Sequence, residues 1–236
     1  MACFADFHTH ILPKLDDGSK SLEQSLQMLQ MEAQAGVKRV VFTPHFYPHE
    51  SSISEFLLER DFSYRRLVKA AEGIPGMPEM YLGAEVYFYR GMADSKELKK
   101  LTIANSPYIL IEMPTDKWTE GMYEELNALH RRGLYPIIAH LDRYITPFNT
   151  RGIPERLAKL PVLVQMNTDA LQSVWTRGLF LKYLKKDMVH LIGTDCHNCT
   201  TRSPQMQKVM KWIEPLGEQT IQRIHEYEDR ILSPSR

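Results

Sequence analysis

Short apolar runs alternate with segments of helical periodicity along most of the chain. Residues 4–8 read as a first strand. Leu22, Ser25, Leu26, Leu29 and Ala33 then recur at helical spacing, which predicts a helix from about Ser21 with a stop at Gly36. Val40, Val41 and Phe42 mark a second strand over 38–43, and 44–53 reads as a loop rich in aromatics and His. A helix over 54–72 ends in the Gly- and Pro-rich breaker 73–78. Further strands are predicted at 80–88, 108–112, 135–140, 162–167 and 189–194. Helices are predicted at 94–100, 118–131, 155–160 and 179–186, and a helical tail spans 204–231 with a break at 215–217.

That makes seven strands, each followed by a helix or by a loop and a helix. The strands are short and continuously apolar rather than alternating, as expected of parallel strands buried on both faces. A barrel-like α/β domain is the natural architecture, with an open doubly wound sheet as the competing one. Periodicity alone does not separate the two. The 236 residues suit one large domain, because α/β barrels run to about 200–250 residues as a unit. No repeat, linker or low-complexity segment divides the chain.

Lys and Arg together number 29, as do Asp and Glu. This neutral balance excludes a broadly basic nucleic-acid binder. No run approaches 18 apolar residues and the first residues lack the pattern of a signal peptide, so a cytoplasmic protein without membrane insertion is expected. Three Cys, with Cys3 far from the others, suit a reducing compartment. Cys196 and Cys199 form a lone C-x-x-C, a weak signal for redox chemistry or zinc without a second pair.

Composition gains meaning from where the nine His fall. Strand one ends in His8 and His10, strand two runs into His45, strand three carries Glu85 and strand four ends in Glu112. Strand five ends in His140, and strand seven runs into Asp195 and His197. In a parallel barrel the C-terminal strand ends gather on one face, where active sites form. Residues i and i+2 of an extended chain point the same way, so His8/His10 and Asp195/His197 can each present two side chains to one site. A lone H-x-H or a lone strand-end Glu means little; ligands at six of seven strand ends mean metal. Imidazole mixed with carboxylate, without thiolate, suits Mn, Fe or Zn in open catalytic sites, and more than four ligands imply more than one ion. His49, His130, His190 and His225 lie on loops, on a helix face or at a strand start and are assigned no chemistry.

These residues resemble a known family. Asp6-Phe7-His8-Thr9-His10-Ile11-Leu12-Pro13 followed by Asp16-Asp17-Gly18-Ser19-Lys20 is similar to the opening of one branch of the polymerase and histidinol phosphatase (PHP) superfamily. That branch is the CpsB/CapC type of bacterial manganese-dependent protein tyrosine phosphatases of capsular and exopolysaccharide biosynthesis. Thr43-Pro44-His45, Gly83-Ala84-Glu85, Ile111-Glu112, residues 138–144 (IAHLDRY) and residues 193–198 (GTDCHN) match its later motifs in order. The resemblance runs from about residue 4 to 204.

The resemblance implies a distorted TIM-like (β/α)7 barrel of PHP fold, with 1–236 as a single metal-dependent phosphatase domain. It implies up to three divalent ions, Mn2+ first, with Fe or Zn as alternatives. One ion would take His8, His10, Glu85 and Asp195; a second Glu85, Glu112 and His140; a third Asp17, His45 and His197. Asp17, in the loop after strand one, is supplied by the resemblance and not by the strand-end pattern; Asp16 beside it reads as a turn or supporting residue. Arg143 resembles the family's phosphate-binding arginine, and Arg202 matches a second basic position. The expected activity is phosphoric monoester hydrolysis, with a metal-bridging hydroxide attacking phosphorus in line. The expected substrate is a phosphotyrosine protein, the C-terminal tail of a bacterial tyrosine kinase.

Three departures stand out: Asp142 where the family usually has Glu, Phe46-Tyr47-Pro48-His49 where relatives often carry basic residues, and a C-terminal signature only echoed by Asp229-Arg230-Ile231-Leu232. Cys196 and Arg202 stand at the C-x5-R spacing of cysteine-dependent phosphatases, but the resemblance implies metal-dependent hydrolysis without a thiol nucleophile. The competing readings are a small-molecule phosphatase of histidinol-phosphate or sugar-phosphate type, a non-catalytic kinase-binding module, and an amidohydrolase, which would leave Asp17 and Arg143 without a purpose.

Overall fold

The computed structural model describes residues 4–145 and 152–233. Cys3 therefore lies outside the described residues. Strand β1 (Asp6–Thr9) leads through a turn-rich loop to α1 (Leu22–Gln34). Ser21 caps this helix by accepting the Gln24 N–H, and Gly36, at φ 85°, turns the chain out of it. Next come β2 (Arg39–Phe42), β3 (His45–Phe46) and α2 (Ile53–Ala71), whose Ser52–Glu55 capping box fixes its start. The chain continues through β4 (Glu79–Leu82), β5 (Glu85–Tyr87), β6 (Tyr108–Glu112), α3 (Glu120–Arg131), β7 (Tyr135–Ile138), α4 (Ile153–Leu157) and β8 (Leu163–Asn167). It ends with α5 (Asp169–Gln172), α6 (Arg177–Lys185), β9 (Leu191–Gly193), α7 (Met206–Ile213) and α8 (Glu218–Leu232).

All strand pairs are parallel, in the orders β1-β2-β4 and β3-β5-β6-β7-β8-β9. The two series are one curled sheet bent along a single line. β2 and β3 are separated by Thr43 and Pro44, and Pro44 has no N–H to continue a ladder. β4 and β5 are separated at the same level by Gly83 and Ala84. Bonds cross the bend: the Gly83 N–H donates to the Phe42 carbonyl (2.9 Å) and the Glu85 N–H to the Pro44 carbonyl (3.0 Å). At the far edge the Asp195 N–H donates to the His8 carbonyl (2.7 Å) and the His10 N–H to the Cys196 carbonyl (2.9 Å), so β1 meets β9 instead of lying at the opposite edge.

Alternation along the strands builds two cores. One face (Val40, Phe42, Ile109, Ile111, Ile138, Val164, Ile192) packs on the helices with Met28, Leu29, Leu126 and Phe180. The other (Ala5, Phe7, Val41, Leu110, Ile137, Ala139, Leu191) closes on Ile103 and on Ile231 and Leu232 of α8. Burying each large side chain contributes about 2–3 kcal/mol, enough to hold the strand ends in fixed register.

Several predicted elements change. The loop 44–53 contains β3, and the strand 80–88 is β4 and β5. The helix expected at 94–100 is a series of 3-10 turns, Met92–Asp94, Leu98–Leu101 and Ile103–Asn105. Leu98 and Leu101 are both buried, and three-residue spacing aligns them on the tighter helix. The short α5 has no counterpart in the sequence pattern.

Candidate metal centre

The bend between β2 and β3 and between β4 and β5 sets His45 against Glu85 in register. The short sequence between the two strands of each pair thus carries two ligand candidates to one spot. β1 brings His8, with His10 just beyond it; β6 ends in Glu112. His140 and Asp195 follow β7 and β9 in left-handed backbone, at φ 32° and 52°. Such conformations cost on the order of 1–3 kcal/mol and persist where surrounding contacts impose them. The His140 N–H is held by the Gln165 Oε1 at 2.6 Å.

All nine sequence-predicted ligands come together. Glu85, 1% exposed, is the hub: its Oε2 lies 3.0 Å from His8 Nε2, 3.3 Å from His10 Nε2 and 3.0 Å from His45 Nδ1. Its Oε1 lies 2.7 Å from His140 Nε2. Glu112 stands 3.7 Å from His45 and 3.6 Å from His140. Asp195 Oδ1 is 3.7 Å from His8 and 3.4 Å from His10. Asp17 Oδ1 is 3.1 Å from His197 Nε2 and 3.6 Å from His45 Nε2.

Three groupings among these nine residues have donor atoms close enough to share an ion: His8, His10 and Glu85; His45, Glu85 and Glu112; and His10, Asp17, His45 and His197; a fourth such grouping, outside them, is Asp6, Glu32 and Cys196. The third contains the whole expected Asp17, His45 and His197 set. The expected partners of the first two also lie close by: Asp195 Oδ1 is 3.4 Å from His10 and 3.7 Å from His8, and His140 Nε2 is 3.6 Å from Glu112.

The donor set fits divalent cations. Glu85 Oε2, Glu112 Oε2, His45 Nδ1, His140 Nδ1 and His197 Nε2 are buried without a hydrogen-bond partner among the described residues. Buried polar atoms are normally paired, and crowded donor atoms left unpaired are what a cation would satisfy. Charge agrees. Burial opposes ionisation of Glu85 and Asp195, yet the surrounding imidazoles outweigh it and hold both carboxyls well below the usual range. Burial and the Glu85 charge raise the Glu112 carboxyl. Burial, with the charge of His10, lowers His197 to about 4, so its imidazole stays neutral and able to ligate.

Supporting groups fix these ligands. Asp16 Oδ2 lies 2.7 Å from His10 Nδ1 and accepts the His45 N–H at 3.1 Å, which turns His10 Nε2 inward. Gly18 lets this loop lie against His10, since a Cβ there would stand 2.2 Å from the His10 carbonyl oxygen. Asp6 accepts the His8 N–H (3.1 Å), the Thr194 N–H (2.9 Å) and the Thr194 hydroxyl (2.5 Å), clamping β1 to β9. β8, the one predicted strand without a ligand, supplies Gln165, whose Oε1 lies 3.2 Å from His8 Nδ1, and Asn167, whose Nδ2 donates to Asp195 Oδ2 at 2.9 Å. Sequence reasoning missed both. Their signal was two amides at i and i+2 in an otherwise apolar strand.

Both arginines reach the cluster. Arg143 donates to Asp195 Oδ2 and lies 3.9 Å from Glu112, while Arg202 Nη2 lies 2.8 Å from Asp195 Oδ1. They flank a polar recess of about 110 Å³ lined also by Asn167, Thr194 and Gln205. Asp142 is half-buried there, accepts the Asn167 N–H at 2.8 Å, and is raised to about 6 by desolvation. Cys196 is fully buried, and burial pushes its thiol well up. It is no nucleophile, and Cys196 and Cys199 are both free thiols.

Known proteins share this chain's pattern. It matches the family described as "Capsular polysaccharide synthesis, CpsB/CapC" over residues 4–232. It is 28% identical over 217 residues to tyrosine-protein phosphatase CpsB of Streptococcus pneumoniae, covering 86% of each chain. To tyrosine-protein phosphatase YwqE of Bacillus subtilis (strain 168) it is 25% identical over 221 residues, covering 89% of this chain and 83% of the relative. Its fold superposes with a TM-score of 0.80 and 22% identity, over 97% of this chain and 94% of the other, on a crystal structure from work on YwqE of B. subtilis and CpsB of S. pneumoniae, described there as unique metal-dependent tyrosine phosphatases. Among the described residues no helix is long and apolar enough to cross a membrane. With nearly the full length matched, the chain belongs to the CpsB/CapC family of capsular polysaccharide synthesis.

Proposed function

We propose that this chain is a metal-dependent protein-tyrosine phosphatase. The observation that carries the reading is the convergence of His8, His10, Asp17, His45, Glu85, Glu112, His140, Asp195 and His197 into one cluster whose buried donor atoms include several without a hydrogen-bond partner among the described residues. The relatives' activity supports it. We read the architecture as a distorted (β/α)7 barrel of PHP type, with 1–236 as one domain, and the ions as manganese. The free thiols agree with a cytoplasmic location. The substrate we propose is the phosphorylated tyrosine-bearing tail of a kinase that acts in polysaccharide biosynthesis.

When bound, divalent ions lower the pKa of water toward neutrality and offset charge on the phosphoryl group. The residues of the chain do the rest. Glu85 is placed to serve two ions, and Asp16, Gln165 and Asn167 orient its neighbours. Arg143 and Arg202 edge the recess where phosphoryl oxygens would be held, a task suited to the planar guanidinium fork. Depth favours water exclusion: His8, His10, Glu85 and His140 are buried, whereas Arg143 is 35% and Arg202 39% exposed at the mouth.

Hydrolysis of a phosphotyrosine peptide with added Mn2+, before and after chelation, tests the reading. Turnover should vanish with chelator and return with metal; chelator-resistant turnover would overturn it. A small-molecule phosphatase would instead show its highest kcat/KM on histidinol phosphate or a sugar phosphate.

A further inference from the structure

The mouth of the cluster carries a feature that ligand chemistry does not require. Tyr47 lies two residues after His45, and Tyr87 two residues after Glu85. Along extended chain, i and i+2 share a face, so both tyrosines stand one layer above ligand candidates, about 6.6 Å further toward the mouth. The ring contacts agree with that placement. Tyr47 stacks on His45, with centroids 5.1 Å apart and planes 24° from parallel. Tyr87 meets Tyr47 at 5.7 Å and 52°, so the two rings form a corner. Tyr87 is also the register partner of Glu112.

This corner lies on the open side of the site. His45 and Glu112 are 12% and 14% exposed against 1% for Glu85, and both tyrosines are half-buried. Neither phenol hydroxyl is hydrogen-bonded among the described residues, so ring faces and not polar anchors hold the pair. The corner is on the β3 and β5 side of the mouth. Arg143 and Arg202 follow β7 and β9, on the other side. A ligand with its anion between the arginines and the cluster would turn its remaining body toward the tyrosines.

We propose that Tyr47 and Tyr87 form an aryl-binding subsite, which accepts the ring of an aryl phosphate and selects it over an alkyl phosphate. This rests on the phosphatase reading above and adds the groups that recognise the ring. Offset or edge-to-face aromatic pairing supplies the preference, and no charge is involved.

Calorimetric titration of the Mn2+-loaded protein with phenylphosphonate and with methylphosphonate isolates the ring, because neither is hydrolysed. Phenylphosphonate should bind about fivefold to tenfold tighter. Tyr47→Leu should remove most of that advantage while methylphosphonate affinity and metal content stay as in the unaltered protein. Tyr47→Phe, which keeps the ring, should retain it, and Tyr87→Leu should reduce it. In parallel, Tyr47→Leu should raise KM for a phosphotyrosine peptide more than it lowers kcat. Equal binding of the two phosphonates, or an advantage that survives Tyr47→Leu combined with Tyr87→Leu, overturns the subsite and leaves the phosphatase reading intact. Loss of the advantage in Tyr47→Phe also overturns it, by assigning the effect to the hydroxyl. Failure of both phosphonates to bind, with no phosphotyrosine turnover, refutes the phosphatase reading itself.

Discussion

At the C-terminal ends of the strands, five imidazoles crowd among four carboxylates, and several of their buried atoms lack a hydrogen-bond partner. At the opposite end, His190 enters β9 with its bonds made to the neighbouring strand. Its Nδ1 accepts the Val164 N–H at 2.9 Å, its own N–H donates to the Val164 carbonyl at 2.9 Å, and its ring meets Tyr227 edge-on at 4.9 Å. Two charge pairs also form at that end. Arg132 pairs with Asp94 and Lys100 with Glu97 beside a pocket of about 680 Å³. The same residue types thus close the structure at one end and leave it open to a ligand at the other. Burial does not mark the functional His, since both kinds are largely buried. Convergence with unmet bonding capacity does.

This contrast can be broken most severely at Glu85, which two of the donor groupings in the cluster share. Glu85→Ala should lower phosphotyrosine hydrolysis by about 10³-fold or more, since several kcal/mol of charge stabilisation depend on the ions it holds. Metal analysis should show the loss in parallel, and normal metal content would remove Glu85 from its central place. Gln165→Leu comes next. It removes the acceptor beside His8 Nδ1 and the His140 N–H, and metal affinity should fall about 10-fold to 100-fold in a competition titration.

The opposite end should answer in stability and not in metal binding. Burial lowers His190 to about 4. Between pH 6.5 and 4 the unfolded chain binds a proton there that the folded one does not, so this contribution to stability rises with pH across that window and is lost as pH falls. The loss should be about 3 kcal/mol at pH 4 relative to pH 7. His190→Asn keeps an acceptor near Nδ1 and cannot titrate. Denaturant melts of this variant should show a shallower dependence on pH. The smallest effect belongs to Arg132→Ala and Lys99→Ala, expected within about 0.5 kcal/mol of the original stability with metal content unchanged. A loss of metal in either would erase the distinction between the two ends.

The ligands were legible because each metal-type side chain terminates an apolar strand, and parallel strands place their ends together. Gln165 and Asn167 were not, because an amide carries no metal signature and β8 ends without a ligand. β3 and the break between β4 and β5 were hidden for another reason. Pro44 reads as a loop marker, and Gly83-Ala84 gives no polar cue within an apolar run. The bend becomes visible only through the bonds that cross it. A helix was expected over 94–100, but burial of Leu98 and Leu101 and left-handed Ala104 divide the stretch from Met92 to Asn105 into tighter turns.

The Asp6 clamp on Thr194 joins groups 188 positions apart. Its consequence concerns synthesis. A nascent chain that has released β1 through β8 holds His8, His10 and Glu85 but lacks the partner strand that seats them. Completion of the third grouping, which needs His197, must therefore await β9 and the loop after it. Closing so long a loop is entropically slow, so site assembly and the final locking of the sheet form one late event.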